Sequence, residues 1–406
     1  MFTPDTICIP DILLPAKCAD PAFMRAWSVI ACDQFTSDRD YWDGLDAETG
    51  DAPSALRLIL PEVYLKDADA ARRIAVIGEN MEKYLKDGVL RRLDRGFVLT
   101  ARTTAYTDRV RYGIVLAIDL EAYSFDASAK TAVRATEATV PERLPPRAAV
   151  RRGAKIELPH TMLLYNGSQE EILQDIVDGD VVRGNLEKLY DFELNRGGGH
   201  LCGWALGEEL SREIRRRLYA AAPDGFLFAV GDGNHSLAAA KLCWEEKKKT
   251  LSPLERKTHP ARYALCEAIS VHSPALAFHP IHRFVAGTDA ERFIGAFMRE
   301  CPLPLARAGR MLSFPADTDI VQAIAFTDRF LSGYTRAYGG EIDYIHGEDA
   351  LAALVSAADD RAGIRFPAIA KDGFFDYIEK NGAFPRKTFS IGEGTEKRYY
   401  TECKEI

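Results

Sequence analysis

The run Phe226-Leu-Phe-Ala-Val-Gly-Asp-Gly-Asn-His-Ser-Leu-Ala-Ala-Ala-Lys-Leu-Cys-Trp244 constrains this chain more than any other stretch. Its apolar opening, Phe226 to Val230, predicts a short strand covered on both faces. Gly231-Asp-Gly-Asn234 predicts a turn, with two glycines free to adopt positive φ. Ser236 to Trp244, rich in alanine with Leu and Trp to one side, predicts a helix. A strand feeding a helix through glycines aims backbone N–H groups and the positive helix end at one point, which suits phosphate. Asp232 suits a metal ion or a hydroxyl, and His235 suits proton movement. A tight βα turn with no ligand has the same outline. Asp, Asn, His and Ser crowded around two glycines are, however, more polar chemistry than a turn requires.

The chain has 406 residues, too many for one ordinary core. We expect an N-terminal α/β part over 1–152, a core carrying the Gly231–Ser236 turn over 153–288, and a C-terminal α/β module over 289–406. The fold class expected is α+β, or mixed α/β. No apolar run is long enough for a membrane span, and the first residues resemble no secretion signal, so a cytoplasmic protein without membrane contact is expected. The net charge of −8 argues against a nucleic-acid partner. The eight cysteines are scattered without a Cys-x-x-Cys pair. They read as reduced thiols, mostly buried, and their spacing predicts no zinc site. A monomer and a homo-oligomer remain equally open.

Further candidates follow along the chain. Asp33 and Gln34 end a short apolar strand, where α/β sheets bind ligands. Asp33 would equally serve as cap of the helix starting near Ser37. Residues 67–90 have helical amphipathic spacing, with Ala71, Ile74, Ile77, Met81, Tyr84 and Leu85 on one face. Residues 96–104 and 111–119 read as an antiparallel pair.

Residues 133–152 collect Arg134, Arg143, Arg147, Arg151 and Arg152. They form either a solvated basic helix or a polyanion clamp, since arginine offers bidentate donors to phosphate. Thr139-Val-Pro-Glu142 reads as a capping box. Glu137 is a candidate general base or an ion-pair partner of these arginines.

His160 lies near the entry of a strand over 156–165. Three successive glycines at 197–199 predict a tight hairpin or a close backbone approach. His272, His279, His282 and Arg283 fall on or between two strands. Residues 279 and 282 would face opposite ways there, so no joint metal site is expected, and His282 with Arg283 suit an anion instead. A hairpin is expected around Gly339-Gly340. The tail, with Arg386, Lys387 and the run Glu396-Lys-Arg-Tyr-Tyr-Thr-Glu-Cys403, reads as a closing strand bearing surface charges.

An anion turn, arginines, carboxylates and histidines together fit phosphoryl transfer. Asp232-Gly-Asn-His-Ser236 resembles the Asp-Gly-His-x-Arg motif of the ParB/sulfiredoxin superfamily, which includes free serine kinases. Asn234 and Ser236 depart from that motif. The pieces Ala31–Ser37, Arg134–Glu137 with Pro145–Arg147, Glu157–Thr161, Gly231–Ser236, Pro280–Arg283, Tyr344–Gly347 and Pro385–Phe389 are similar to a bacterial family known as a domain of unknown function.

The resemblance implies a ParB/sulfiredoxin-like core with a mixed sheet and an added α/β module. It also implies a diphosphate-dependent L-serine kinase that makes O-phospho-L-serine and phosphate, and by the chemistry of phosphoryl transfer a carboxylate such as Asp232 holding Mg²⁺ would complete the site. Under it, Gly231, Asp232, Gly233, Asn234, His235 and Ser236 form the phosphate and metal turn, with Asp232 the metal ligand. Arg134, Arg143 and Arg147 hold diphosphate. Glu137 is the first choice of base and Asp33 the second. His160, His272, His282, Arg283 and Lys387 line the pocket. The alternatives are an ATP- or ADP-dependent kinase of serine or another small hydroxy acid, a non-catalytic ParB-like nucleotide- or DNA-binding module, and a phosphoserine phosphatase.

Overall fold

The computed structural model describes residues 6–406. It is mixed α/β, and contacts divide it into two compact units, Met1–Leu276 with Glu393–Ile406, and Ala277–Gly392.

The first unit is built on a ten-stranded mixed sheet. Its strands are β1 (Ile7–Cys8), β2 (Val98–Thr104), β3 (Thr107–Asp119), β4 (Tyr123–Ser124), β5 (Val133–Ala135), β6 (Met162–Tyr165), β7 (Lys188–Glu193), β8 (His200–Ala205), β9 (Phe228–Asp232) and β10 (Tyr263–Ser270). The order is β7-β8-β2-β3-β10-β6-β9-β5-β4, with β1 added to β3. The pairs β10–β6, β9–β5 and β5–β4 are parallel, and the remaining neighbours are antiparallel.

Alternation along the strands feeds two cores, one on each face. Val98 and Val115 join a cluster that includes Ile77, Met81 and Tyr84 of helix α1 (Ala70–Lys86). Leu99, Ile114 and Leu116 face the other way, toward Ile214 and Leu218 of α3 (Gly207–Ala220) and Leu237 and Trp244 of α4 (Asn234–Lys247). Helix α2 (Leu144–Arg152) packs on α4.

Strands from either side of the expected 152/153 boundary share this sheet, because β5 hydrogen-bonds to β9 as well as to its near neighbour β4. From Glu393 the chain also returns to the first unit, where Tyr399–Tyr400 pairs antiparallel with Val29–Ile30.

The 139–142 segment forms no capping box. Pro141–Arg143 is a 3-10 turn without a side-chain cap, and α2 starts at Leu144. Pro145 and Pro146 explain the shift, since proline fits the first helical turn.

In the second unit, Phe278–Ala286 pairs with Glu341–His346, Ala362–Arg365 and Phe389–Ile391. Phe293, Phe297, Phe314, Phe326, Phe330 and Phe366 fill its core. Gly339-Gly340 does not close a hairpin. The helix Ile320–Tyr338 runs up to Gly339, which caps it and leads directly into strand Glu341–His346. Asp319 caps its start, and its apolar face continues as far as Tyr334. Among the described residues no helix is long and apolar enough to cross a membrane.

Candidate functional site

β9 carries Asp232 to its carboxyl end, and α4 begins two residues later at Asn234. Of the two turn glycines only Gly233 takes positive φ, at +78°, while Gly231 stays in the strand. A Cβ on Gly233 would lie 3.0 Å from both Cα and Oγ1 of Thr161. Strain and crowding act together, so Gly233→Ala is expected to destabilise the protein by about 1–3 kcal/mol, read as a lowered thermal midpoint. Helix α4 has no side-chain cap, which leaves its first turn open to an external acceptor.

Parallel pairing sets the next wall. Val230 lies opposite Ala135, so continuing the register places Glu137 level with Asp232 at the same carboxyl-end edge. Asn234 pins the two segments together. Its Oδ1 accepts from the Thr136 N–H at 3.3 Å, and its Nδ2 donates to Thr136 Oγ1 and the Val230 carbonyl, both at 3.3 Å. His235 Nε2 accepts from the Val140 N–H at 3.4 Å. These two turn residues therefore hold the edge in shape.

His160 stands just before β6, whose Met162 is paired with Asp232. Its Nδ1 is 2.6 Å from the Tyr400 hydroxyl, which itself accepts from the Cys32 N–H at 3.2 Å. Burial, with Cys32 and Asp33 nearby, raises the Tyr400 phenol far above its ordinary range, so it stays neutral and donates to Nδ1. His160 Nε2 lies 2.9 Å from Ser236 Oγ and 3.6 Å from Asp33 Oδ2.

Burial alone would raise the Asp33 carboxyl. His160, the Gln34 amide and the Lys397 ammonium outweigh it and hold Asp33 well below the usual carboxylate range. Asp33 thus faces His160 and Lys397. The cap of helix Arg39–Thr49 is Asp38, which accepts from the Tyr41 N–H at 3.0 Å.

The tail supplies what sequence reasoning missed. Glu396, Lys397, Arg398, Glu402 and Lys404 are all buried, so they are not surface charges. Lys397 Nζ lies 3.4 Å from Asp232 Oδ2 and also faces Asp33. Arg398 bonds Glu267 at 2.6 Å, Glu402 at 2.5 Å and the Pro159 carbonyl at 3.1 Å, anchoring the segment beneath His160. A Cβ on Gly113 would come within 2.4 Å of Glu267 Oε1, so that glycine makes room for the carboxylate. The one signal in sequence was the density of charged and aromatic residues from Glu396 to Glu402.

A cavity of about 150 Å³ adjoins His160 and Ser236, with Leu58, Leu60, Met81 and Leu265 among its apolar lining. Glu62 and Arg147 stand at its polar side and are hydrogen-bonded to each other.

The model of a family described as protein of unknown function (DUF1015) matches residues 13–359. The chain belongs to that family. No curated protein matches it. Among solved structures, a free serine kinase in complex with AMP is similar at 11% identity and a TM-score of 0.37, over 74% of this chain and 96% of that one. A conserved hypothetical protein from Pyrococcus furiosus is similar at 11% identity and a TM-score of 0.36, over 72% of this chain and 94% of that one.

In this DUF1015 chain, Asp33, Glu137, His160 and Gly231 to Ser236 occupy one edge of the sheet, and Arg147 joins them through the cavity. Arg143, more exposed, also turns to Glu62 at 3.5 Å. Arg134 goes elsewhere. Its guanidinium stacks 4.1 Å over Phe226, at the end of β9 remote from Asp232, and its Nε donates to the Thr131 carbonyl. His272 is exposed past the far end of β10, with Nε2 2.9 Å from the Asn166 carbonyl.

His282, Arg283 and Lys387 belong to the second unit. Arg283 is fully buried, bidentate to Asp328 and bonded to the Ile281 and Lys387 carbonyls. His282 Nδ1 accepts from the Phe366 N–H at 3.2 Å, and burial pushes its imidazole down to about 4. These contacts organise the core of that unit.

Proposed function

We propose that this chain is a phosphotransferase that moves a phosphoryl group from diphosphate to the hydroxyl of L-serine, on a ParB/sulfiredoxin-like core. One observation carries the reading. Asp33, Asp232 and Lys397, from three remote parts of the chain, converge beside the uncapped start of α4. Phosphoryl transfer depends on positioning and charge neutralisation, and these groups supply both. Diphosphate and serine are the donor and acceptor that the motif likeness implies.

Lys397 and the first N–H groups of α4 bind phosphate oxygens in this scheme. The Asp33 and Asp232 carboxylates are hard oxygen ligands on either side of one ammonium, a donor set that fits Mg²⁺. The ion, when bound, would neutralise charge on the diphosphate. Asp33 stays ionised far below neutral pH, which suits holding a cation better than taking a proton. Glu137, level with Asp232, is therefore the base. The serine oxygen forms a bond to phosphorus, the P–O–P bond breaks, phosphate leaves, and the hydroxyl proton passes to Glu137. His160 Nε2 and Ser236 orient the acceptor from the opposite wall.

Phosphorus NMR tests this. Purified protein with Mg²⁺ and L-serine receives diphosphate, ATP or ADP in separate tubes. Phosphoserine is expected with diphosphate. A signal with a nucleotide alone would reassign the donor. Its absence with every donor would overturn the kinase reading.

A further inference from the structure

A second group of chemically active side chains lies on the β7–β8 hairpin, separated from β9 by four strands in the sheet order. The antiparallel register pairs Asp191 with Cys202 and Glu193 with His200. Side chains two apart on a strand share a face, so these cross-strand pairs stand side by side on one face of the hairpin. One donor atom each from Asp191, His200 and Cys202 lies within 4.8 Å of the others. We propose that these three residues bind a zinc-type divalent transition metal.

The arrangement has the features of such a site. Carboxylate oxygen, imidazole nitrogen and thiolate sulfur are the three ligand types that zinc accepts. Tetrahedral coordination at ordinary bond lengths needs ligand atoms about 3.4 Å apart, so His200 Nε2 and Asp191 Oδ1, now in hydrogen-bond contact, part slightly to admit the ion. His200 Nε2 is 2.7 Å from Asp191 Oδ1, while its Nδ1 is 2.9 Å from Glu193 Oε1. Glu193 thus fixes the ring from behind and leaves Nε2 for the metal, the carboxylate–histidine–metal arrangement of many zinc sites. Lys188 holds the other Asp191 oxygen, Oδ2, at 2.7 Å and leaves Oδ1 available.

An ion pair joins His200 to its two carboxylates, and the Cys202 thiol hydrogen-bonds Asp191, so all four side chains already meet at one point. Burial and Asp191 raise Cys202 to about 12, so it is protonated until a cation arrives. Binding exchanges the S–H bond for a metal–sulfur bond and releases that proton to solvent. His200 and Asp191 are partly exposed, with side-chain exposures of 36% and 40%, which gives the ion an entry path and water the fourth position.

The ligands come from opposite strands, so register rather than a Cys-x-x-Cys spacing brings them together. That is why the linear pattern predicted no zinc site.

The test uses the whole chain, stripped of metal with a chelator and titrated with Co²⁺ alone. One equivalent is expected to give a thiolate-to-cobalt charge-transfer band and tetrahedral visible bands, which Zn²⁺ bleaches. Cys202→Ala should abolish the charge-transfer band. Glu193→Gln should keep it but weaken binding roughly 10–100-fold. His200→Gln, at a half-exposed position, should also lose the site, and it decides the matter if Cys202→Ala does not fold. No band in the natural chain, or the same band in Cys202→Ala or His200→Gln, overturns the proposal.

Discussion

Asp232→Asn is expected to lower phosphoryl transfer to L-serine by roughly 10²–10³-fold, the usual effect of removing one preorganised electrostatic group. The substitution is nearly isosteric. The Asn oxygen can still accept from the Gly233 N–H, as Asp232 Oδ1 does at 3.0 Å, so the turn keeps its shape. What disappears is the negative charge 3.4 Å from Lys397. Without it the ammonium is free to pair with Asp33 alone, and the proposed Mg²⁺ would lose one hard ligand. Phosphate release with diphosphate and serine gives the rate, and thermal unfolding reports the fold. A stable variant with activity within a few-fold of the natural chain would remove Asp232 from the mechanism.

Arg398→Ala is expected to destabilise the first unit by about 3–5 kcal/mol, the effect of breaking a buried ion pair from one side. Arg398 is 4% exposed and bonds two carboxylates that are themselves buried, Glu267 and Glu402. Burial opposes the charge on Glu267, but Arg398 and Arg111, with the Thr100 hydroxyl, win and hold it at about 2. Glu402 is raised by burial despite Arg398, and its Oε1 accepts from the Tyr190 hydroxyl at 2.5 Å. Alanine leaves Glu402 without its cation, leaves Glu267 with Arg111 alone, and frees the tail segment that carries Lys397 and Tyr400.

Urea denaturation should show a lower midpoint with an unchanged slope. Arg212→Ala, which removes only an exposed pair with Glu208, should change stability by no more than about 0.5 kcal/mol. An Arg398→Ala effect as small as that of Arg212→Ala would mean that the network is not needed to hold the tail.

Local order was legible in the residues. Helix α1, the β2–β3 pair, the β7–β8 hairpin and the strand–turn–helix around Asp232 all stand where periodicity and glycine placement put them. The errors arose where two local signals competed. At 139–146 successive prolines moved the helix start past a plausible capping box. Near residue 38, the cap role weighed for Asp33 falls to Asp38 instead. Arg134 and Arg147 looked alike in sequence. One stacks on Phe226 because β5 points it away from the turn, whereas the other reaches the cavity from α2.

By itself, then, the sequence determined the elements and the Gly231–Ser236 turn, because helix periodicity, strand alternation and φ > 0 are properties of a few neighbouring residues. Only the tertiary structure decided which charges meet. Lys397 reaches Asp232, and Tyr400 reaches His160, because the tail returns to pair with Val29–Ile30 and Arg398 locks it over Glu267. That pairing joins residues hundreds of positions apart, and it buries charges, each matched by a partner, that look solvent-exposed when the chain is read in one dimension.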